Sequence, residues 1–239
     1  MKTTMRWGAI ALVLIIMMPA WSEAHAVGAG QVAYVSGTLT ARKADGSVHI
    51  LSQKSEVDTG DVLSTQKDSY AQINFPDGAS MTLRPNTQMK VEAYHFAQSQ
   101  PKKDSAIFRL IKGGLRMISG LIGHRGNKDA WELKTSVATI GIRGSSGDTL
   151  DCTHGCEGVT STSGTLPPGL YHTTYTGSYI VRNAAGSEII GEGQFGFVKN
   201  ERTPPEILPK DPGLNLQELP FALGISGRQL KSGQECIVR

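Results

Sequence analysis

The sequence is short of cysteine, of aromatic side chains and of net charge, and each shortage narrows what the chain can be. Three Cys in 239 residues cannot build a disulfide scaffold or a four-Cys zinc site. Aromatics make up 6% and charged residues 19%, and 24 Lys+Arg against 21 Asp+Glu leave a formal net charge of only +3. Nucleic-acid recognition calls for a dense basic stripe, so nucleic acid is not an expected partner. Long apolar runs are missing after the first twenty residues, which excludes a multi-span membrane protein, and the composition fits neither a fibre nor a coiled coil. What is plentiful is glycine, 28 residues, beside 11 Pro and 39% hydrophobic residues. That is the material of an ordinary globular domain rich in turns.

Lys2 and Arg6 precede an apolar run from Trp7 to Met18, followed by Pro19 and the triplet Ala24-His25-Ala26. The run is too short for a membrane span, which needs about 20 residues. A basic start, a short apolar stretch and a small-x-small triplet read as a secretory signal peptide over residues 1–26, cut after Ala26. An uncleaved N-terminal anchor is the alternative, and Pro19 and the triplet argue against it. The first Cys is Cys152, so a lipid anchor is not expected. Loss of Lys2, Arg6 and Glu23 leaves a nearly neutral remainder without a second long apolar run. The expected product is soluble, has no transmembrane segment, is periplasmic or secreted, and meets envelope partners, not cytosolic ones.

From Gly30 to Val198 short alternating runs are punctuated by Gly turns, the pattern of strands with one buried face. Tyr70 to Phe75 alternates apolar and polar, Pro76-Asp77-Gly78 turns, and Met81-Thr82-Leu83 resumes, which predicts a hairpin. Lys43 to Ser47 and Asn183 to Ser187 separate further pairs in the same way, since Gly supplies the positive φ of tight hairpins. The stretch from Ile107 to Ile118 is ambiguous. Ile107, Leu110 and Ile111 have helical spacing, but Gly113-Gly114 would cost a helix about 2 kcal/mol, so two strands are preferred and the helix stays open. Beyond Asn200, Pro204, Pro205, Pro209, Pro212 and Pro220 crowd together at a density that a strand ladder does not tolerate. The expected architecture is therefore all-β over residues 27–200, with an extended tail over 201–239 that packs through Phe221, Leu223 and Ile225.

Cys152-Thr153-His154-Gly155-Cys156 lies in a chain expected to meet oxidising conditions, so a local disulfide is the first choice, stabilising by about 2 kcal/mol. A metal site from both thiolates and His154 is the alternative, but only three ligands are local. Cys236 is left over. Gly191-Glu192-Gly193-Gln194-Phe195-Gly196 matches G-x-G-x-x-G, yet Phe197-Val198 follows where a helix would be needed to hold a pyrophosphate. These are read as turn glycines at a strand start, and no cofactor is implied. Ser64-Thr65-Gln66-Lys67 has the S-x-x-K spacing of penicillin-recognising enzymes and Lys134-Thr135-Ser136 echoes their third motif. Ser64 ends a strand-like run and no S-D-N element exists, so no catalytic residue is assigned. Lys102, Lys103, Arg109, Lys112, Arg116, Arg125 and Lys128 gather in one region opposed only by Asp104 and Asp129. They are either a solvated strand face or a grip for an anionic envelope polymer.

Gly60-Asp61-Val62-Leu63-Ser64-Thr65, Ala71 to Phe75, and Asp77-Gly78-Ala79-Ser80-Met81-Thr82-Leu83-Arg84-Pro85-Asn86-Thr87 together resemble the FecR-type domain, named after the iron-dicitrate transport regulator. The likeness continues through Lys112 to Arg116, Thr135 to Ser145 and Gly191 to Gln194, and spans about residues 30 to 198. The resemblance implies an all-β, solenoid-like or rolled sheet that works outside the inner membrane by contact, with its Gly-Asp and Asp-Gly steps at corners. Regulators of this family also carry a cytoplasmic sigma-binding region. Only six residues precede the apolar run here, so no direct sigma-factor contact is expected. The family's Thr after Arg-Gly is Ser145, which keeps the hydroxyl. Arg143 is expected to bond backbone carbonyls at a turn, with an acidic ligand as the alternative. The expected function is a non-enzymatic exported module for protein interaction in envelope signalling. The alternative is a structural or polymer-binding envelope protein whose basic residues include Arg109, Lys112 and Arg116.

Overall fold

A computed structural model describes residues 28–127, 129–156, 161, 164, 166–214, 216 and 219. The expectations for residues 1–26, Lys128, Pro220, Phe221, Leu223, Ile225 and Cys236 lie outside the described residues. The chain is built from strands. They are β1 (Gly28–Ser36), β2 (Leu39–Arg42), β3 (Val48–Leu51), β4 (Glu56–Asp58), β5 (Val62–Thr65) and β6 (Tyr70–Asn74). Next come β7 (Ser80–Leu83), β8 (Gln88–His95), β9 (Ser105–Ile118), β10 (Trp131–Lys134), β11 (Thr139–Ile142) and β12 (Ser146–Asp151). The last are β13 (Leu170–Thr176), β14 (Ser178–Asn183), β15 (Gly186–Gly191), β16 (Phe195–Val198) and β17 (Glu206–Leu208). Two 3₁₀ turns, Pro101–Lys103 and Leu121–Gly123, are the only helical pieces among the described residues. Neither could cross a membrane.

The pairings define two layers. Sheet I runs β4-β1-β6-β7-β9-β12-β13-β16-β17. Sheet II runs β3-β2-β5-β8-β9-β10-β11-β14-β15. Strand β9 belongs to both, its first half to sheet II and its last residues to sheet I, so the layers are one rolled sheet folded onto itself. All pairings are antiparallel except β9 with β10.

The hinge of this roll is Gly113-Gly114. Before it, Ala106, Phe108 and Leu110 point into the core; after it, Leu115 and Met117 do. The inward parity changes from even to odd because a bulge at Leu110–Lys112, where two steps on β9 match one on β8, inserts an extra residue and leaves Ile111 and Lys112 both exposed. Gly113 makes this possible with φ of +85°, and a Cβ there would stand 2.6 Å from Thr87 Cα. The ambiguous stretch is thus strand throughout. The glycines do not end one strand and begin another; they carry a single strand from sheet to sheet.

Between the layers lies one continuous apolar core that includes Val32, Leu39, Leu63, Ile73, Leu83, Leu133, Ile140 and Val181. Phe75 packs on Tyr94 and Phe108 at centroid distances of 5.3 and 5.2 Å, and Phe108 on Trp131 at 5.8 Å, so aromatic contacts tie the layers together. The hairpins fall where the turn residues put them, with Ala71 facing Leu83, Arg42 facing Val48 and Asn183 facing Gly186. Asp77 secures its turn by accepting the backbone N–H groups of Ala79 and Ile122 and the Tyr94 hydroxyl.

One expectation is corrected in the proline-rich stretch. A ladder does enter it, because β17 fits between Pro205 and Pro209 and pairs with β16 at the rim of sheet I. Three residues on an edge need few ladder donors, which is where prolines are tolerated as neighbours. Leu208, Leu214 and Leu216 then lie against Leu150, Tyr171, Cys152 and Phe197, a second small core on the outer face of sheet I.

Candidate functional site on the outer face of sheet I

Strand β12 is buried on both faces along its whole length. Its inward side is covered by sheet II and its outward side by the chain running from Leu208 to Leu216, so Asp148, an outward residue, is fully buried. A lone carboxylate there would be strongly disfavoured. Two arginines answer it. Arg116, opposite Asp148 on β9, donates Nε to Oδ1 and Nη2 to Oδ2, both at 2.9 Å. Arg84, just past β7, donates Nη2 to Oδ2 at 2.9 Å. The Tyr175 hydroxyl donates to the same oxygen at 2.6 Å, and the Arg116 guanidinium lies 4.9 Å from the Tyr175 ring centroid. The fork to a carboxylate, with aromatic stacking, is the geometry that arginine serves and lysine does not.

Burial opposes the charge on Arg116, but the hydrogen bonds and charge of Asp148 outweigh it and hold the guanidinium pKa above its ordinary value. Burial pushes the Tyr175 hydroxyl well above the usual phenol range, and Asp148 adds to this, so Tyr175 stays a proton donor. The cluster is closed from outside by a main-chain group. The Leu216 carbonyl accepts from Arg116 Nη2 at 2.7 Å and also from Arg84 Nη2. Among the described residues, Arg84 Nε has no hydrogen-bond partner.

On the inward side of the same strands sits His172, fully buried, with Nδ1 2.9 Å from the Thr149 hydroxyl and its ring edge-on to Tyr179 at 4.2 Å. Burial drives its pKa down to about 3, with the charge of Asp148 a smaller opposing influence, so the imidazole is neutral. The ring approaches closely because Gly147 lies beside it; a Cβ there would come within 2.4 Å of the Thr173 carbonyl and 3.0 Å of Tyr179.

The residues singled out from sequence do not form one patch. Arg109 and Arg116 end on opposite sides of the roll because β9 changes layer between them. Arg109 pairs with Glu92 on the outer face of sheet II. Arg125 is held by Asp104 at 3.1 Å, by the carbonyls of Ala97 and Gln98, and by the Phe96 ring. Lys112 is exposed beside Gly113 and enters no ion pair among the described residues. Arg143 is exposed on a cleft of about 290 Å³ with His124 and Arg125. Its backbone N–H donates to the Ser178 carbonyl, but its guanidinium makes no hydrogen bond among the described residues, so the expected bonding to turn carbonyls is absent. The neighbouring Ser145 hydroxyl does that work, donating to the Ser178 carbonyl and accepting the Ser178 N–H at 2.9 Å.

Cys152 and Cys156 stand at disulfide distance, Cα to Cα 4.5 Å, so neither thiolate is offered to a metal, and His154 points to Thr153. Gly191 to Gly196 forms the turn into β16, closed by Gln194 Oε1 accepting the Gly191 N–H. Ser64 lies on β5 and accepts from Gln88, while Lys134 is engaged with Glu92 and Glu132, so the S-x-x-K spacing does not assemble a helical turn.

Asp148, Arg84, Tyr175 and His172 were not singled out from sequence. Charged and polar residues at alternate strand positions read as solvent-facing, and only the cover laid over sheet I reverses that reading. The one available signal was Arg84 and Arg116 recurring inside ordered Gly and Asp turn blocks.

Residues 61–157 match the family model described as FecR protein, a segment running from β5 to just beyond β12 and containing Arg84, Arg116 and Asp148. Two crystal structures of a protein from Parabacteroides distasonis, provisionally assigned as an anti-sigma factor, are similar at 16% identity, with TM-scores of 0.42 and 0.43. The likeness covers 62% of this chain and spans 57% of that protein's length. No curated protein matches the chain.

Proposed function

We propose that the chain, whose residues 61–157 match the FecR family model, is an exported, non-enzymatic regulatory module that acts by protein contact in envelope signalling. The observation that supports this reading is the family match lying over an all-β roll, whose polar cluster has arginines holding a carboxylate and a main-chain carbonyl. Such a cluster shapes a surface; it offers no nucleophile beside a base. The polymer-binding reading keeps Lys112 as an exposed cation but loses support elsewhere, since Arg109, Arg116 and Arg125 each pair with a carboxylate of the chain itself. The test is cross-linking of the tagged protein in the envelope of its own cell, followed by identification of what is captured. Recovery of an outer-membrane receptor or a membrane-bound regulator is expected. Recovery of glycan alone would overturn the reading, and finding the protein in the cytosolic fraction would overturn its export.

A further inference from the structure

The cleft of about 290 Å³ beside Arg143 is built by two segments of chain. One is the 3₁₀ turn Leu121–Gly123 with His124, Arg125 and Gly126 after it, and the other is the corner from β11 to β12 that carries Ile142 and Arg143. The two are fastened to each other, because the Ser119 N–H donates to the Ser145 carbonyl at 3.0 Å and the Ser145 N–H donates to the Ser119 hydroxyl at 2.8 Å. A third segment fixes the corner from the other side, where the Ser178 carbonyl accepts the Arg143 N–H and the Ser145 hydroxyl bonds both backbone polar groups of Ser178. Gly144, with φ of +70°, lets the His124 ring lie directly on the corner; a Cβ there would stand 2.4 Å from Cε1 of that ring.

What this frame presents is cationic. The Arg143 guanidinium is exposed and makes no hydrogen bond among the described residues. His124 sets Nε2 against the Ser119 hydroxyl at 3.3 Å, and its Nδ1 makes no hydrogen bond among the described residues. Arg125 spends three of its five N–H groups on Asp104 and on the carbonyls of Ala97 and Gln98, which leaves it two. No Asp or Glu is among the described residues that line the cleft, and Asp104, which balances Arg125, has a fully buried side chain. Arg84, Arg109, Arg116 and Arg182 each face a carboxylate of the chain, whereas Arg143, on a backbone fixed from two sides, faces open space.

We propose that this cleft is an oxyanion site that takes the carboxylate or phosphate group of a small ligand, with the Arg143 guanidinium as its principal contact and His124 and Arg125 as flanking donors. The fork of parallel N–H groups on arginine matches the paired oxygens of either group. The volume lies at the lower end of the range for small-molecule pockets, which suits an acid or monophosphate of a few carbons, and buried Ile142 supplies an apolar floor. Because the walls are already fixed, binding has mainly the Arg143 side chain to order. The site goes beyond the protein-contact reading and does not depend on it.

The test is titration of the ¹⁵N-labelled full chain with inorganic phosphate and, separately, with succinate, at an ionic strength held constant with chloride and read by amide chemical shifts. Saturating shifts are expected at His124, Arg125, Gly126, Arg143 and Gly144. Arg143→Gln is expected to raise the dissociation constant at least about tenfold, and Lys112→Gln, which removes an exposed cation outside the cleft, is expected to leave it unchanged. Saturation by phosphate alone assigns a phosphate ligand, by succinate alone a carboxylate ligand, and by both a site for either group. Shifts that grow linearly without saturating, or a dissociation constant unchanged in Arg143→Gln, would overturn the inference. Should that variant fail to fold, the wild-type shifts decide, since saturating shifts centred away from the cleft contradict the site. Anion binding without capture of an envelope partner would fault the signalling reading alone, and capture without anion binding would fault the site alone.

Discussion

On the outer face of sheet II, Arg109, Lys134 and Arg182 meet Glu92, Glu132 and Asp129 in contact with water, whereas on the outer face of sheet I, Arg84 and Arg116 meet Asp148 beneath a layer of chain. Arg109 is 43% exposed and Asp148 not at all. The same residue types therefore do different things. Exposed pairs are screened and each is worth about 0–1 kcal/mol, so the sheet II network keeps that face soluble and adds little to stability. The buried cluster has lost its hydration, and its members are tolerated only while all are present. What separates the two faces is the cover, not the charges.

The largest expected effect comes from taking the carboxylate out of the buried cluster. Asp148→Ala leaves two guanidiniums facing each other out of water and is expected to cost about 3–5 kcal/mol, seen as a lower urea midpoint at unchanged slope. A loss under about 1 kcal/mol would make the two faces equivalent and break the comparison.

Acid sharpens it next. His172 is depressed in the folded chain to about 3, while an unfolded histidine titrates near 6.5, so the unfolded state binds more protons between these values. The contribution of neutral His172 is fully present above about pH 6.5 and is lost as pH falls toward 3, at about 1.4 kcal/mol per pH unit. His172→Asn should remove this share of the slope between pH 6 and 4.5, and parallel wild-type and variant curves would show that His172 is not buried as described.

The smallest effect is expected on sheet II. Glu92→Gln should cost less than about 1 kcal/mol, and the difference should shrink in strong salt, because Arg109 and Lys134 remain solvated without their partner. A larger, salt-independent loss would mean that this face is also covered.

Much of the fold can be read from the chain itself. Asp77-Gly78, Gly46 and Asn183 to Gly186 mark hairpins because the turn chemistry is local, and the alternation of Tyr70 to Phe75 assigns its faces correctly. The change of parity across Gly113-Gly114 was also present in the sequence, in Phe108 and Leu110 before it and Leu115 and Met117 after it. Its meaning depended on knowing that a second layer faces the first. The buried cluster was harder to see for a physical reason. Arg116 looked like one cation among seven, and Asp148 like a polar alternate position, because burial of the outer face depends on residues some 60 to 130 positions distant that carry prolines and no periodic pattern. Arg143, prominent by motif, turned out exposed, and the hydroxyl of Ser145 makes the turn contacts expected of it.

The central claim is that cover, not residue type, separates the two charged faces, and urea unfolding of Asp148→Asn beside Glu92→Gln in low and high salt tests it most directly. The account predicts a loss for Asp148→Asn that exceeds the loss for Glu92→Gln and does not change with salt, since Asp148 is buried between Arg84 and Arg116. Equal losses, both shrinking in strong salt, would contradict it.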